Sequence, residues 1–255
     1  AKVSSLLIVP SDEKKHTRVL CASLLFLGLT WFELVWRRPG NPSHIGIVFI
    51  ILFVVTTGVR ILFGKASIEV DPLHLLHHLY AKLRFTVSRP FYKNMLENIA
   101  NLSNFKGMEY FILLMIGTVT YDGLRGTTFW YNLFGSSTLE IGFSTISFLA
   151  INIIIITSYR FACWFALKVS GEKKDLNEVS LLFAHTMLPI AFAYHVTHYL
   201  SLLLYESQTI FYRLNDPYGL GWNLFGVEEI TINYFLTPVA LWGIQVFLTL
   251  AVPML

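Results

Sequence analysis

Asp122, His185, His195, His198 and Asp216 have side chains able to do chemistry, and they stand in or beside long apolar stretches. Ionisable groups are costly in such surroundings and mark candidate functional positions. His195 and His198 are three residues apart, so they share one helix face. His185 precedes His198 by thirteen residues, about 20 Å along a helix, so the two cannot hold one ion on a straight helix. Counted from the inner ends of their apolar segments, Asp122 stands roughly 21 Å up and His198 roughly 29 Å. That height places both in the outer half of a bilayer, where Asp122, His195, His198 and Asp216 could converge. Imidazoles with a carboxylate suit zinc, copper or iron, and such a metal would activate water or oxygen. The same histidines could instead form a buried polar network that only ties helices together. Haem held by two histidines would need an imidazole on a second span, and the predicted spans offer none outside the fifth.

The chain that must position these groups has 255 residues, 55% hydrophobic and only 14% charged. A soluble domain carries about a quarter charged residues, so this composition requires lipid as its solvent. A net charge of +3 gives no argument for nucleic acid. Apolar runs predict an all-α membrane protein, a single transmembrane bundle of about six helices near 19–36, 45–63, 108–121, 142–169, 179–212 and 232–255. Pro189 lies within the fifth run and Pro238 within the sixth. Lys and Arg concentrate in alternate connections, which predicts a multi-pass protein of the cell membrane with both termini cytoplasmic. Arg160, near the inner end of the fourth run, is expected to reach for the headgroups. Cys21 and Cys163 read as free thiols, and the polar start at Ala1 as a processed or incomplete N-terminus.

The segment 66–105 is not a span. Asp71-Pro72 is a helix-start signal, and Leu73, Leu76, Tyr80 and Leu83 recur at helical spacing. His74, His77, His78 and Lys82 fall mainly on the other side. The pattern predicts an amphipathic helix on the inner membrane surface, with a weaker one over 90–101. The i, i+3, i+4 spacing of the three histidines also suits a metal. Two outer loops echo one another, Trp130-Tyr131-Asn132-Leu133-Phe134-Gly135 and Gly221-Trp222-Asn223-Leu224-Phe225-Gly226. The echo reads either as an internal repeat or as two aromatic belts.

Several stretches together resemble a family: Trp31-Phe32-Glu33-Leu34-Val35; Leu62-Phe63-Gly64 with Val70-Asp71-Pro72-Leu73; Tyr121-Asp122-Gly123-Leu124; Phe183-Ala184-His185 with Pro189; and His198-Tyr199-Leu200-Ser201 through Gln208 to Asp216-Pro217 and Asn233-Tyr234. From about Val19 to Tyr234 the chain is similar to the polytopic membrane proteins called fenitrothion hydrolases, whose members are longer. The resemblance implies His185, His198, Asp122 and Asp216 as positions to test, and hydrolysis of an organophosphate-type ester. It does not extend to His195 or to the His74 cluster. Three functions follow as expectations: a membrane-bound hydrolase of apolar esters, an accessory subunit among other membrane proteins, or a transporter.

Overall fold

The computed structural model describes residues 11–36, 42–63, 70–83, 106–135, 140–216, 220–226 and 231–251. Every element in these residues is helical: α1 (Ser11–Val35), α2 (Pro42–Phe63), α3 (Pro72–Ala81), α4 (Met108–Arg125), α5 (Thr128–Phe134), α6 (Ile141–Ser170), α7 (Leu176–Tyr205), a 3-10 turn (Glu206–Thr209), α8 (Ile210–Asn215) and α9 (Pro238–Ala251). Three helices are long and apolar enough to cross a membrane: His16–Val35 within α1, α6, and α7 with the 3-10 turn. The chain is accordingly a membrane-type helical protein. The expectation of six spans is met only in part. Gly46–Val59 in α2 and Pro238–Ala251 are shorter apolar helices. α4 has eighteen residues but carries Glu109, Asp122 and Arg125.

The chain divides into two units, Ala1–Ala191 and Phe192–Leu255. In the first, α4 packs most extensively on α6 and next on α1. Tyr110, Gly117 and Tyr121 climb α4 while their partners Arg160, Asn152 and Ser144 descend α6, so the two helices are antiparallel. α1 runs parallel to α4, with His16 beside Gly107 at one end and Leu34 beside Arg125 at the other. Lipid supplies no hydrophobic drive between helices, so close packing and interhelical hydrogen bonds must hold them. Gly117 supplies the closeness against Asn152. The hydrogen bonds run from Trp31 Nε1 to Thr145 Oγ1 (3.0 Å) and from the Tyr121 hydroxyl to the Ser144 carbonyl (3.2 Å). Tyr121, Trp130, Phe148 and Val35 form a buried core at that end, with Phe134 and Phe143 packed on it.

α6 and α7 form a hairpin. Gly171, at φ +68°, ends α6 in the left-handed conformation, and its N–H caps the Leu167 carbonyl. The Tyr159 hydroxyl donates to the Ser180 carbonyl (2.6 Å). Arg160 donates to the Tyr110 hydroxyl (3.0 Å) and to Asn177 Oδ1 (3.1 Å). It therefore ties α4, α6 and α7 together, where the sequence predicted a side chain reaching for headgroups. Serine and threonine hydroxyls along the apolar helices donate to carbonyls one turn back, as Ser147 does to Phe143 and Thr157 to Ile153.

The helix predicted after Asp71-Pro72 forms, but its buried side chains are Pro72, Leu75 and Leu79, whereas Leu73, placed on the apolar face by its spacing, is exposed. Asp71 caps the helix by accepting from the Leu73 and His74 N–H groups. Leu75 and Leu79 are buried, and α3 packs on α1. The weaker helix expected over 90–101 lies outside the described residues. By contrast, α2 has no buried side chain among those described, and Phe49, Ile50, Phe53 and Ile61 are each more than half exposed.

The second unit contains the end of α7, the 3-10 turn, α8, two irregular stretches and α9. Pro238 begins α9 instead of lying inside a span, because 231–237 is not helical. The Gln208 side chain pairs with the Asn233 backbone, donating from Nε2 to the carbonyl (3.1 Å) and accepting the N–H at Oε1 (2.9 Å). Gln245 Nε2 donates to the Thr197 carbonyl (2.7 Å), joining α9 to α7.

Candidate functional site

The predicted site residues divide between the two units. Asp122 and His185 belong to the first; His195, His198 and Asp216 belong to the second. Among the described residues, no three His, Cys, Asp or Glu side chains come together as metal ligands. What the structure assigns to each residue is its local setting.

Asp122 is half-buried on the last turn of α4, directly after the fully packed Tyr121, and its carbonyl accepts the Gly126 N–H (3.2 Å) that closes the helix. His195 and His198 are half-buried on α7 and both lie by Tyr199. The His198 and Tyr199 rings meet edge-on, with centroids 5.1 Å apart. Asp216 has a structural role: Oδ1 accepts from the Leu220 N–H (2.9 Å) and Oδ2 from the Gly221 N–H (2.7 Å). Its neighbour Asn215 holds the same loop, accepting the Phe225 N–H (2.6 Å) and donating to Asn223 Oδ1 (2.7 Å). Asp216 and Asn215 thus pin this loop, and Gln208 and Asn233 pin each other.

His185 differs from these. It is 8% exposed, and its Nδ1 lies 3.1 Å from the Leu182 carbonyl. A carbonyl can only accept, so Nδ1 carries the hydrogen and the neutral ring keeps its lone pair on Nε2. That Nε2 is buried and has no hydrogen-bond partner among the described residues. Of the predicted residues, His185 alone has such a buried nitrogen.

A second polar centre was not anticipated. Glu109 is 5% exposed, one residue inside the apolar run of α4. Its Oε2 accepts the Gly107 N–H (3.0 Å), so the carboxylate caps the start of α4, where the helix dipole favours negative charge. Gly107 has φ +98°, and a Cβ there would stand 2.9 Å from Nδ1 of His16, a buried nitrogen with no hydrogen-bond partner. The signal for Glu109 was present, since an acid at the head of an apolar helix is a capping pattern. Hydropathy does not reach His16, because the apolar run opens only at Val19 whereas α1 begins at Ser11. α2 likewise contains His44, whose Nδ1 accepts from Trp36 Nε1 (3.2 Å). The candidate span His16–Val35 therefore begins on a histidine, and α2 carries another near its start.

Both cysteines are free, Cys21 exposed and Cys163 buried. The sequence echo does not extend to the backbone: Trp130–Phe134 is helical, whereas residues 221–226 are irregular. Compared with known protein families, with curated proteins and with solved structures, the chain matches none.

Proposed function

We propose that this chain is an integral subunit of a larger assembly in the cell membrane, with both termini on the cytoplasmic side. The observation that carries this reading is α2, a 22-residue apolar helix with no buried side chain among those described. Helices in a bundle are held by packing and polar contacts, and α2 has extensive packing with none of the other described helices. Its face is open to helices of another subunit. The interhelical polar side chains support the same reading, because Trp31, Tyr121, Tyr159 and Arg160 hold helices in place. The test is gentle solubilisation from native membranes followed by native mass measurement. A complex well above the 29.1 kDa chain, lost when Phe49 and Phe53 are replaced by Ala, is expected. A monomer at native abundance would sink the idea. Protease access to a terminal tag in sealed vesicles tests the orientation.

A second reading, a membrane-bound hydrolase of apolar, organophosphate-type esters, is favoured by one observation. His185 presents a buried imidazole lone pair with its tautomer fixed by a backbone carbonyl, the arrangement of a general base or a metal ligand. The resemblance adds Asp122, which belongs to the same unit. Ester hydrolysis by purified protein that vanishes in His185→Ala and in Asp122→Ala would establish it. Full activity in both variants would remove it.

A further inference from the structure

The solvent-exposed face of α3 carries His74, His77 and His78. An amphipathic helix lying on a membrane would turn its leucines to lipid. In α3 the buried side chains Leu75 and Leu79 belong to the face packed on α1. The helix is therefore anchored on protein, its first turn fixed by the Asp71 cap, and its histidines stand on a rigid outer face.

His74 and His77 have ligand spacing. Residues three and four apart on a helix lie on adjacent turns, about 5–6 Å between Cβ atoms. His74 and His77 are three apart, so they share one exposed face of α3. His77 adds an independent feature. Its Nδ1 lies 2.6 Å from the Leu73 carbonyl. The carbonyl can only accept, so Nδ1 donates and the lone pair of the neutral ring is on Nε2. Metal-ligating histidines usually donate their other ring N–H in this way, which fixes the ring and raises its basicity.

We propose that His74 and His77 form a two-imidazole site for a first-row divalent transition metal, with solvent completing the coordination. Such a site takes metals in the order in which nitrogen ligands prefer them, copper(II) above zinc and nickel, and does not take magnesium or calcium. The site uses none of the residues named for the two functional readings, and it stands or falls apart from them.

The test uses the full-length protein in detergent micelles, titrated with zinc chloride alone in a calorimeter. Histidine side-chain nitrogens are followed in parallel by NMR. One equivalent of zinc is expected, shifting the Nε2 signals of His74 and His77, with magnesium giving no heat. His74→Ala and His77→Ala should each weaken binding at least tenfold, and His16→Ala should not. Circular dichroism and gel filtration confirm that each variant keeps its fold. No zinc uptake by the wild type, or wild-type affinity in the His74→Ala/His77→Ala double variant, overturns the proposal.

Discussion

Gly117 of α4 and Asn152 of α6 meet so closely that a Cβ on the glycine would lie 3.1 Å from the Asn152 Cγ and 3.3 Å from its Cα. The obstacle includes backbone, so a larger residue must push the two helices apart. Gly117→Ala is expected to destabilise the protein by about 1–3 kcal/mol, and Gly117→Val by more. Thermal unfolding in detergent, followed by loss of helicity, measures this. An unchanged midpoint for Gly117→Val would show that the α4–α6 contact is not what holds the bundle.

Arg160 is the second tie between helices. Arg160→Lys keeps the charge but gives up the planar fork that reaches Tyr110 and Asn177 together. The expected cost is about 1 kcal/mol, and a double-mutant cycle with Tyr110→Phe should give a coupling of about 0.6 kcal/mol. Zero coupling would assign Arg160 to the solvent side.

Glu109 separates capping from charge. Glu109→Gln keeps an acceptor for the Gly107 N–H, whereas Glu109→Leu removes it. Unfolding midpoints are expected to leave the Gln variant close to wild type and the Leu variant lower, by about 1–3 kcal/mol. If Gln is as damaging as Leu, the charge itself is needed and the capping account fails.

The exposed pair in the turn between α6 and α7 is expected to give at most a faint alkaline dependence. Lys174 hydrogen-bonds Glu172 (2.8 Å), which raises the lysine above its ordinary value of 10.5. A raised folded value means that the contribution is complete below 10.5 and fades as pH rises through the folded value. The pair is exposed and screened by salt, so Lys174→Met at neutral pH should leave the unfolding midpoint unchanged. A drop of several degrees would contradict this.

Much of the helical outline was legible because apolar run length reports span position. The runs at 45–63 and 142–169 correspond to α2 and α6 within a few residues, and Asp71-Pro72 begins α3 as its chemistry requires. Helix ends written in polar residues were harder. α1 extends eight residues before Val19 through Ser11-Asp12-Glu13-Lys14-Lys15, whose propensity is helical although its hydropathy is not. The last run hid an irregular stretch before Pro238, since Tyr234 and Phe235 are apolar yet pack on Tyr205 outside any helix. For the site, residue type singled out His185 and Asp216 alike. Only placement separates a buried imidazole nitrogen from a carboxylate bonded to two backbone N–H groups.

The turn from Gly171 to Asp175 sets the order in which the chain can assemble as it is made. Tyr159 finds Ser180, and Arg160 finds Asn177, across a loop of some twenty residues or fewer. Contacts that close so small a loop form early, while most partners on other helices are far away along the chain. α6 and the first half of α7 can therefore leave the insertion machinery as one prepaired hairpin. A mutation in its turn would be felt during synthesis, as poor yield, before it is felt as a loss of stability in the finished protein.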